Sequence, residues 1–458
     1  MRRATLRPLR ALPVGSFPWS GHELWTAWVC LVCLACVPDE SVPVDELDRA
    51  RRVSCGESRE CSVSVYEAPA RLSEHSATFL PNRGQMLIFG GSGAVSENCS
   101  AAAPAYTDAV WIYDEHCDAW TRLLGESPSA RGRHSAASAR EAVWMFGGRF
   151  RERDSTGPYV LHNDLWRFDA ETQEWELINS EGDMPPPRAG GSMLADVEAG
   201  VLWLVGGDSA TEGTQYAPLS DVWSFEIASR RWRSHPLRRS GPLSVLSGAL
   251  LDASRRRIVL FGGAPRDAFQ LDVSYSSDLD FFDLGPVGEP PDELLLVPLV
   301  AASSAGPSGR FASTFEHLQA SDRYVVFGGH DDTEIGNRND LWTFELQSSV
   351  WEPQALGDIF QNAPVGLCDF PADFVAVDMS QPERRSFHSF AWSESCQRGL
   401  LFGGKTDCGA VDDLWRFSPA LMSNDAGGGW ERLAAAEEGE VCVRTHPDDP
   451  LRCSELCN

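Results

Sequence analysis

Lysine is almost missing from this chain. Of its 39 basic residues Lys405 is the one lysine, and 66 acidic residues leave a formal charge of −27. Nucleic-acid affinity comes largely from neutralising phosphates, so so acidic a chain excludes that class of partner. The acidic excess reads as a solvated surface that keeps the protein soluble, not as a cation site. Long hydrophobic runs are absent too. The apolar stretch 24–35 (LWTAWVCLVCLA) is about a dozen residues long, short of the ~20 that a membrane-spanning helix needs. Tyrosine is scarce, with seven residues in 458. What is plentiful is bulk for a core: 43% hydrophobic residues, with 16 Trp and 22 Phe, which excludes disorder over most of the length.

The N-terminus reads as an export segment over residues 1–35, with Arg2, Arg3, Arg7 and Arg10 ahead of the apolar stretch. It ends in Cys33-Leu34-Ala35-Cys36, which resembles the bacterial lipobox and marks Cys36 for lipidation. Ordinary secretion and an uncleaved anchor are the rival readings. All three put the body of the protein outside the cytoplasm, with the membrane touched only through the N-terminus. Residues 36–61 are expected to be a linker carrying Cys55 and Cys61. Beyond Cys36 ten cysteines remain, an even number that fits disulfides in an oxidising compartment. Proximity suggests Cys55 with Cys61 and Cys99 with Cys117. None of the ten stands in C-x-x-C spacing, which argues against zinc.

A repeat decides the fold. Six apolar runs end in glycine pairs, Gly90-Gly91, Gly147-Gly148, Gly206-Gly207, Gly262-Gly263, Gly328-Gly329 and Gly403-Gly404. An Asp-led strand follows each, as in Asp164-Leu-Trp-Arg-Phe168 and Asp413-Leu-Trp-Arg-Phe417. A second Trp comes nine residues after the first in the pairs Trp111/Trp120, Trp166/Trp175, Trp223/Trp232 and Trp342/Trp351. In the sixth repeat a glycine-rich insert delays the partner of Trp415 to Trp430, and the fourth repeat lacks the pair. The runs before the glycines are apolar on both faces, as for a strand sandwiched between sheets. In the Asp-led strands Trp and Phe share one face and Leu takes the other. Paired glycines allow positive φ and close approach of sheets.

These residues resemble the kelch repeat over about residues 65–433. The resemblance implies an all-β, six-bladed β-propeller with four antiparallel strands per blade, assigned here to residues 62–433, with residues 434–458 a Cys-rich tail. Ser62–Tyr66 stands where an outer strand precedes later blades, and is expected to pair with the last blade and lock the ring.

Kelch units often carry Arg-x-x-His before the innermost strand. Arg131 to His134 and Arg385 to His388 match, Arg71 and His75 stand one residue wider, and Ser192, Ser247 and Ser313 fall near this point in the other repeats. His75, His134 and His388 belong to neighbouring blades, so a metal pocket at the channel mouth is one reading and a structural role the favoured one. The loop from His330 to Asp340 offers oxygen donors for Ca²⁺, without the spacing of an EF-hand. No other cofactor is expected. The long gap between Trp351 and Arg385, containing Cys368 and Asp369–Phe374, is the first candidate for contacting a partner.

The leading functional expectation is a monomeric, non-enzymatic binding or scaffolding propeller that presents blade loops to a protein or glycan. The runner-up is a carbohydrate-active enzyme of the galactose oxidase or sialic acid epimerase kind. A copper-radical site needs two Tyr and two His at the channel mouth, and none of the seven tyrosines stands in a matching motif. A third reading is an adhesion or envelope-structural lipoprotein.

Overall fold

A computed structural model describes Cys61 and residues 67–435 except 81–82, 94–103, 213–215, 240–242, 266–274, 300–304, 332–335, 361–374, 377–379, 407–408 and 420–428. The export segment, Cys36, Cys55, Cys99, Cys368, Asp369–Phe374, Ser62–Tyr66 and the tail from 436 lie outside the described residues.

Six four-stranded antiparallel sheets follow one another along the chain, and each is built from consecutive sequence. Blade 1 consists of Ser76–Leu80, Gln85–Phe89, Val110–Asp114 and Ala119–Leu123. Blade 2 consists of Ser135–Ala139, Ala142–Phe146, Leu165–Asp169 and Trp175–Ile178. Blade 3 runs from Ser192–Asp196 to Arg231–His235, blade 4 from Gly248–Asp252 to Val297–Pro298, blade 5 from Thr314–Leu318 to Val350–Ala355, and blade 6 from Ser389–Ser393 to Trp430–Ala434. The first strands touch one another in the cycle 1-2-3-4-5-6-1, so they form the inner wall of a closed six-bladed propeller.

The cores lie between blades, which is why the pre-glycine runs must be apolar on both faces. In five blades the outer-strand Trp is wedged between two rings. One belongs to the third strand of its own blade: Tyr113 for Trp120, Phe168 for Trp175, Phe225 for Trp232, Phe344 for Trp351 and Phe417 for Trp430, with centroids 4.9–5.2 Å apart. The other is the Phe before the glycine pair of the preceding blade: Phe402, Phe89, Phe146, Phe261 and Phe327 respectively, at 4.7–5.6 Å. Blade 4 has no such Trp, and blade 3 has Val205 where the others have Phe. Aliphatic Leu284 and Leu294 pack with Val205 there instead. The fourth blade keeps an outer strand of only two residues, Val297–Pro298, paired with Asp280 and Phe281.

The first glycine of every pair has φ between 58° and 69° and the second between 93° and 115°. Space enforces this as well as conformation: a Cβ on Gly90 would stand 2.6 Å from the Arg131 carbonyl oxygen.

Blade 6 has its own outer strand, Trp430–Ala434, and the pairing expected of Ser62–Tyr66 lies outside the described residues. The expected cysteine pairing is corrected. Cys61 is bonded to Cys117, which rules out Cys55–Cys61 and Cys99–Cys117. Cys61 therefore sits at the turn between the third and outer strands of blade 1, so spatial neighbours differ from sequence neighbours. Cys396 is also disulfide-bonded, to a partner outside the described residues.

Candidate functional site

Because the strands alternate in direction, one face of the ring carries every connection between second and third strands and every crossing to the next blade. On this loop face the repeat's Arg and His have separate jobs. Arg131, Arg188, Arg310 and Arg385 are buried, and each makes a two-pronged bond to the Asp that leads its own blade's third strand: Asp164, Asp221, Asp340 and Asp413. Each also donates to the carbonyl of the first paired glycine. The strand Trp two residues on donates its indole N–H to the same carboxylate. Burial pulls the carboxyls of Asp164, Asp221 and Asp340 up, but the guanidiniums outweigh it and hold them below the usual range. Blade 4 has Ser244 at the Arg position.

The three histidines each reach back to a hydroxyl on the preceding blade. The Nε2 of His75 is 2.6 Å from Ser389 Oγ, that of His134 is 2.8 Å from Ser76 Oγ, and that of His388 is 2.6 Å from Thr314 Oγ1. Burial, aided by Arg131 at His134 and Arg385 at His388, pushes all three down to about 3, so they are neutral at ordinary pH. Their ring nitrogens do not converge. Among the described residues, the one group of three metal-capable side chains within 4.8 Å is Cys61, His116 and Cys117, and its two sulfurs are bonded to each other.

At the mouth of the channel the residue just before each repeat His, or its equivalent, takes left-handed backbone: Glu74, Arg133, Gly190, Leu246, Ala312 and Phe387, with φ of 51–61°. Their amides and carbonyls form a circle that is open between Gly190 and Leu246. Glu74 N–H donates to Phe387, Arg133 to Glu74, Gly190 to Arg133, Ala312 to Leu246 and Phe387 to Ala312, at 2.7–3.3 Å. A residue other than glycine held there is strained, and persists because its neighbours over-determine it.

The side chains of this circle split into a charged arc and an aromatic arc. Glu74 accepts from Arg133 Nε at 2.8 Å, from Arg149 Nη2 at 2.9 Å and from the Tyr106 hydroxyl at 3.1 Å. Burial raises its pKa, but the two guanidiniums prevail and hold it at about 2. Arg133 lies over the Phe387 ring at 4.4 Å, and Arg149 and Arg151 both lie over Tyr159, at 4.2 and 4.3 Å. Tyr216, Tyr275 and Phe311 continue the aromatic arc beside Leu246 and Phe387. Sequence reading missed this cluster. Its signal was the x before His in Arg-x-x-His, which holds Arg133 in one repeat and Phe387 in another.

Of the other sequence candidates, the His330–Asp340 loop forms a short ribbon in which His330–Asp331 pairs with Gly336–Asn337. Arg338 engages Asp331, and Arg310 engages Asp340. The insert before blade 6 folds back on itself, with Ile359–Phe360 pairing with Val375–Ala376. Its base is tied by Asn339, which donates to Asp358 and to the Pro382 carbonyl.

The repeats, the ring and its pins define a kelch-repeat β-propeller. Residues 56–263 match the family model described as the KLHDC2/KLHL20/DRC7 Kelch-repeats domain. The chain is 25% identical to Kelch domain-containing protein 2 of Bos taurus over 223 residues, 44% of this chain and 51% of that protein. It is 25% identical to Tip elongation aberrant protein 3 of Schizosaccharomyces pombe over 249 residues, 53% of this chain and 18% of that one. The chain thus spans about half or less of the length of these relatives. The solved structure of YjhT shares the fold at a TM-score of 0.53 and 14% identity, covering 78% of this chain and 97% of that one.

Proposed function

We propose that this protein is an extracytoplasmic binding propeller, released from residues 1–35, anchored by lipid on Cys36, and docking a protein or glycan on its loop face. The observation that carries the reading is the mouth cluster, where Arg133, Arg149 and Arg151 lie over the rings of Phe387 and Tyr159. Arginine and aromatic side chains dominate the energetic centres of interfaces. Rigid stacking lowers the entropy lost when they bind. The ion pairs to Glu74 fix two of the three guanidiniums, while among the described residues Arg151 has no carboxylate partner and its buried Nε has no hydrogen-bond partner. The disulfide of Cys61 and Cys117 supports an oxidising location.

Photo-crosslinking from Val160, which is exposed beside Tyr159, on intact cells tests the docking face. Arg151→Ala and Tyr159→Ala are expected to abolish a specific adduct that the unaltered protein forms. An adduct insensitive to both removes this face from consideration. Anchoring is tested separately, since Cys36→Ser is expected to move the protein from the membrane fraction to the soluble one.

A further inference from the structure

The axis of the ring holds a cavity of about 580 Å³, within the range of small-molecule sites. It opens at the end opposite the mouth circle: its walls are inner strands of blades 1, 2, 3, 5 and 6, and its rim includes Gly84, Arg140, Val197 and Glu394 in the turns that follow those strands.

The third position of each inner strand is Thr78, Ala137, Leu194, Leu250, Glu316 or Ala391. Glu316 alone is charged, and it has no hydrogen bond or ion pair among the described residues. Alternation along the strand places it on the same side as Leu318, and Leu318 packs in the blade 5–6 seam with Phe390 and Trp392. Both residues also line the cavity. The remaining charged groups on its walls are Arg140 and Glu141 on the blade 2 turn and Glu394 on the blade 6 turn. Glu394 is engaged by the Trp392 indole N–H and by Gln397.

The Glu316 carboxylate sits in this cavity without an ion pair among the described residues, Arg140 at the rim included, and burying charge unpaired is costly. A divalent cation is a poor answer, because Ca²⁺ asks for six to eight oxygens and Glu316 brings one carboxylate beside two aromatic rings. That pairing suits an organic cation, which takes a charge-assisted hydrogen bond on one side and ring faces on the other. The overall charge of −27 raises the local concentration of cations.

We infer that the axial cavity is a binding site for a small organic cation, a primary ammonium on an apolar body, with Glu316 as its counter-ion and Phe390 and Trp392 as its cover. Binding then has a proton signature. Burial pushes the Glu316 carboxyl up to about 8, so near pH 7 an entering ammonium displaces a proton, and affinity rises with pH until Glu316 is fully ionised.

The test is calorimetric titration of the mature propeller with 2-phenylethylammonium, in two buffers of different ionisation heat at pH 7 and again at pH 9. Saturable binding with release of close to one proton at pH 7 and almost none at pH 9 is expected. Neutral 2-phenylethanol is expected not to bind. Glu316→Gln should weaken the ammonium by about tenfold or more and abolish proton release. Absence of saturable binding at millimolar ammonium, equal binding of the alcohol, or binding without proton release overturns the site. The proton count is read on the unaltered protein, so the outcome does not depend on the stability of the variant.

Discussion

The Nε2 of His75 lies 2.6 Å from the hydroxyl of Ser389, and that one contact spans 314 residues of sequence to join blade 1 to blade 6. It is the same contact, in the same sense, as His134 to Ser76 and His388 to Thr314. The seam where the ring closes is therefore built like other seams. Buried Glu115 reinforces it by pairing with Arg398 and Arg416 of blade 6.

The repeat histidines give stability a pH dependence. Each is pushed from 6.5 to about 3 by burial, so below pH 6.5 the unfolded chain binds protons that the folded ring does not. The stability they confer is fully present above pH 6.5 and is lost as pH falls toward 3. Between pH 6.5 and 4.5, His75→Asn is expected to flatten the slope of stability against pH by close to one proton, about 1.4 kcal/mol per pH unit. Urea unfolding at a series of pH values measures it, and an unchanged slope refutes the buried neutral state.

Breaking an Arg–Asp pin strands a buried cation. Arg385 sits at 2.6 and 2.7 Å from the two oxygens of Asp413, so Asp413→Asn is expected to cost about 3 kcal/mol or more. Replacing both partners with apolar residues should recover part of that loss. A single-variant cost below about 1 kcal/mol in chemical unfolding would contradict the geometry.

The Trp wedges couple neighbouring blades. Trp232 lies 5.3 Å from Phe146 of blade 2, and Trp232→Ala is expected to cost about 3–5 kcal/mol. A double-mutant cycle with Phe146→Leu should return a coupling of about 1 kcal/mol. Additive losses would mean that the rings do not share their energy across the seam.

The Cys61–Cys117 bond closes a loop of sequence separation 56. Cys61→Ser is expected to lower stability by about 2–4 kcal/mol under oxidising conditions, with no further change on adding reductant that can be traced to this bond. Thermal unfolding of both forms, with and without dithiothreitol, checks it.

Much of the ring was legible because its physical demands recur. A glycine pair is needed wherever the second strand turns against the next blade's entry, and the first glycine's positive φ repeats within a narrow range in all six blades. The outer strand of blade 4 was not legible, because Val205 removes the ring that a Trp would stack on and leaves no aromatic to mark Val297–Pro298. Arg131 and His134 stood out in the sequence, whereas the partner of Arg131 lies 33 residues on, past a loop whose length differs between blades. The mouth cluster hid for the opposite reason. Glu74, Arg133 and Phe387 occupy one position of the repeat with three chemistries, and a search for sameness passes over the place where blades diverge.

Each blade is complete in consecutive sequence, and among the described residues no strand is lent across the ring, so the order of the blades in space does not depend on where the chain starts. A chain cut between blades 3 and 4 and rejoined at its present ends would specify the same circle. The architecture is in this sense a loop without a first member. Individuality is written only in what each blade adds to the shared plan: a charged pair at the mouth from blades 1 and 2, an aromatic ring from blade 6, and a single carboxylate on the axis from blade 5.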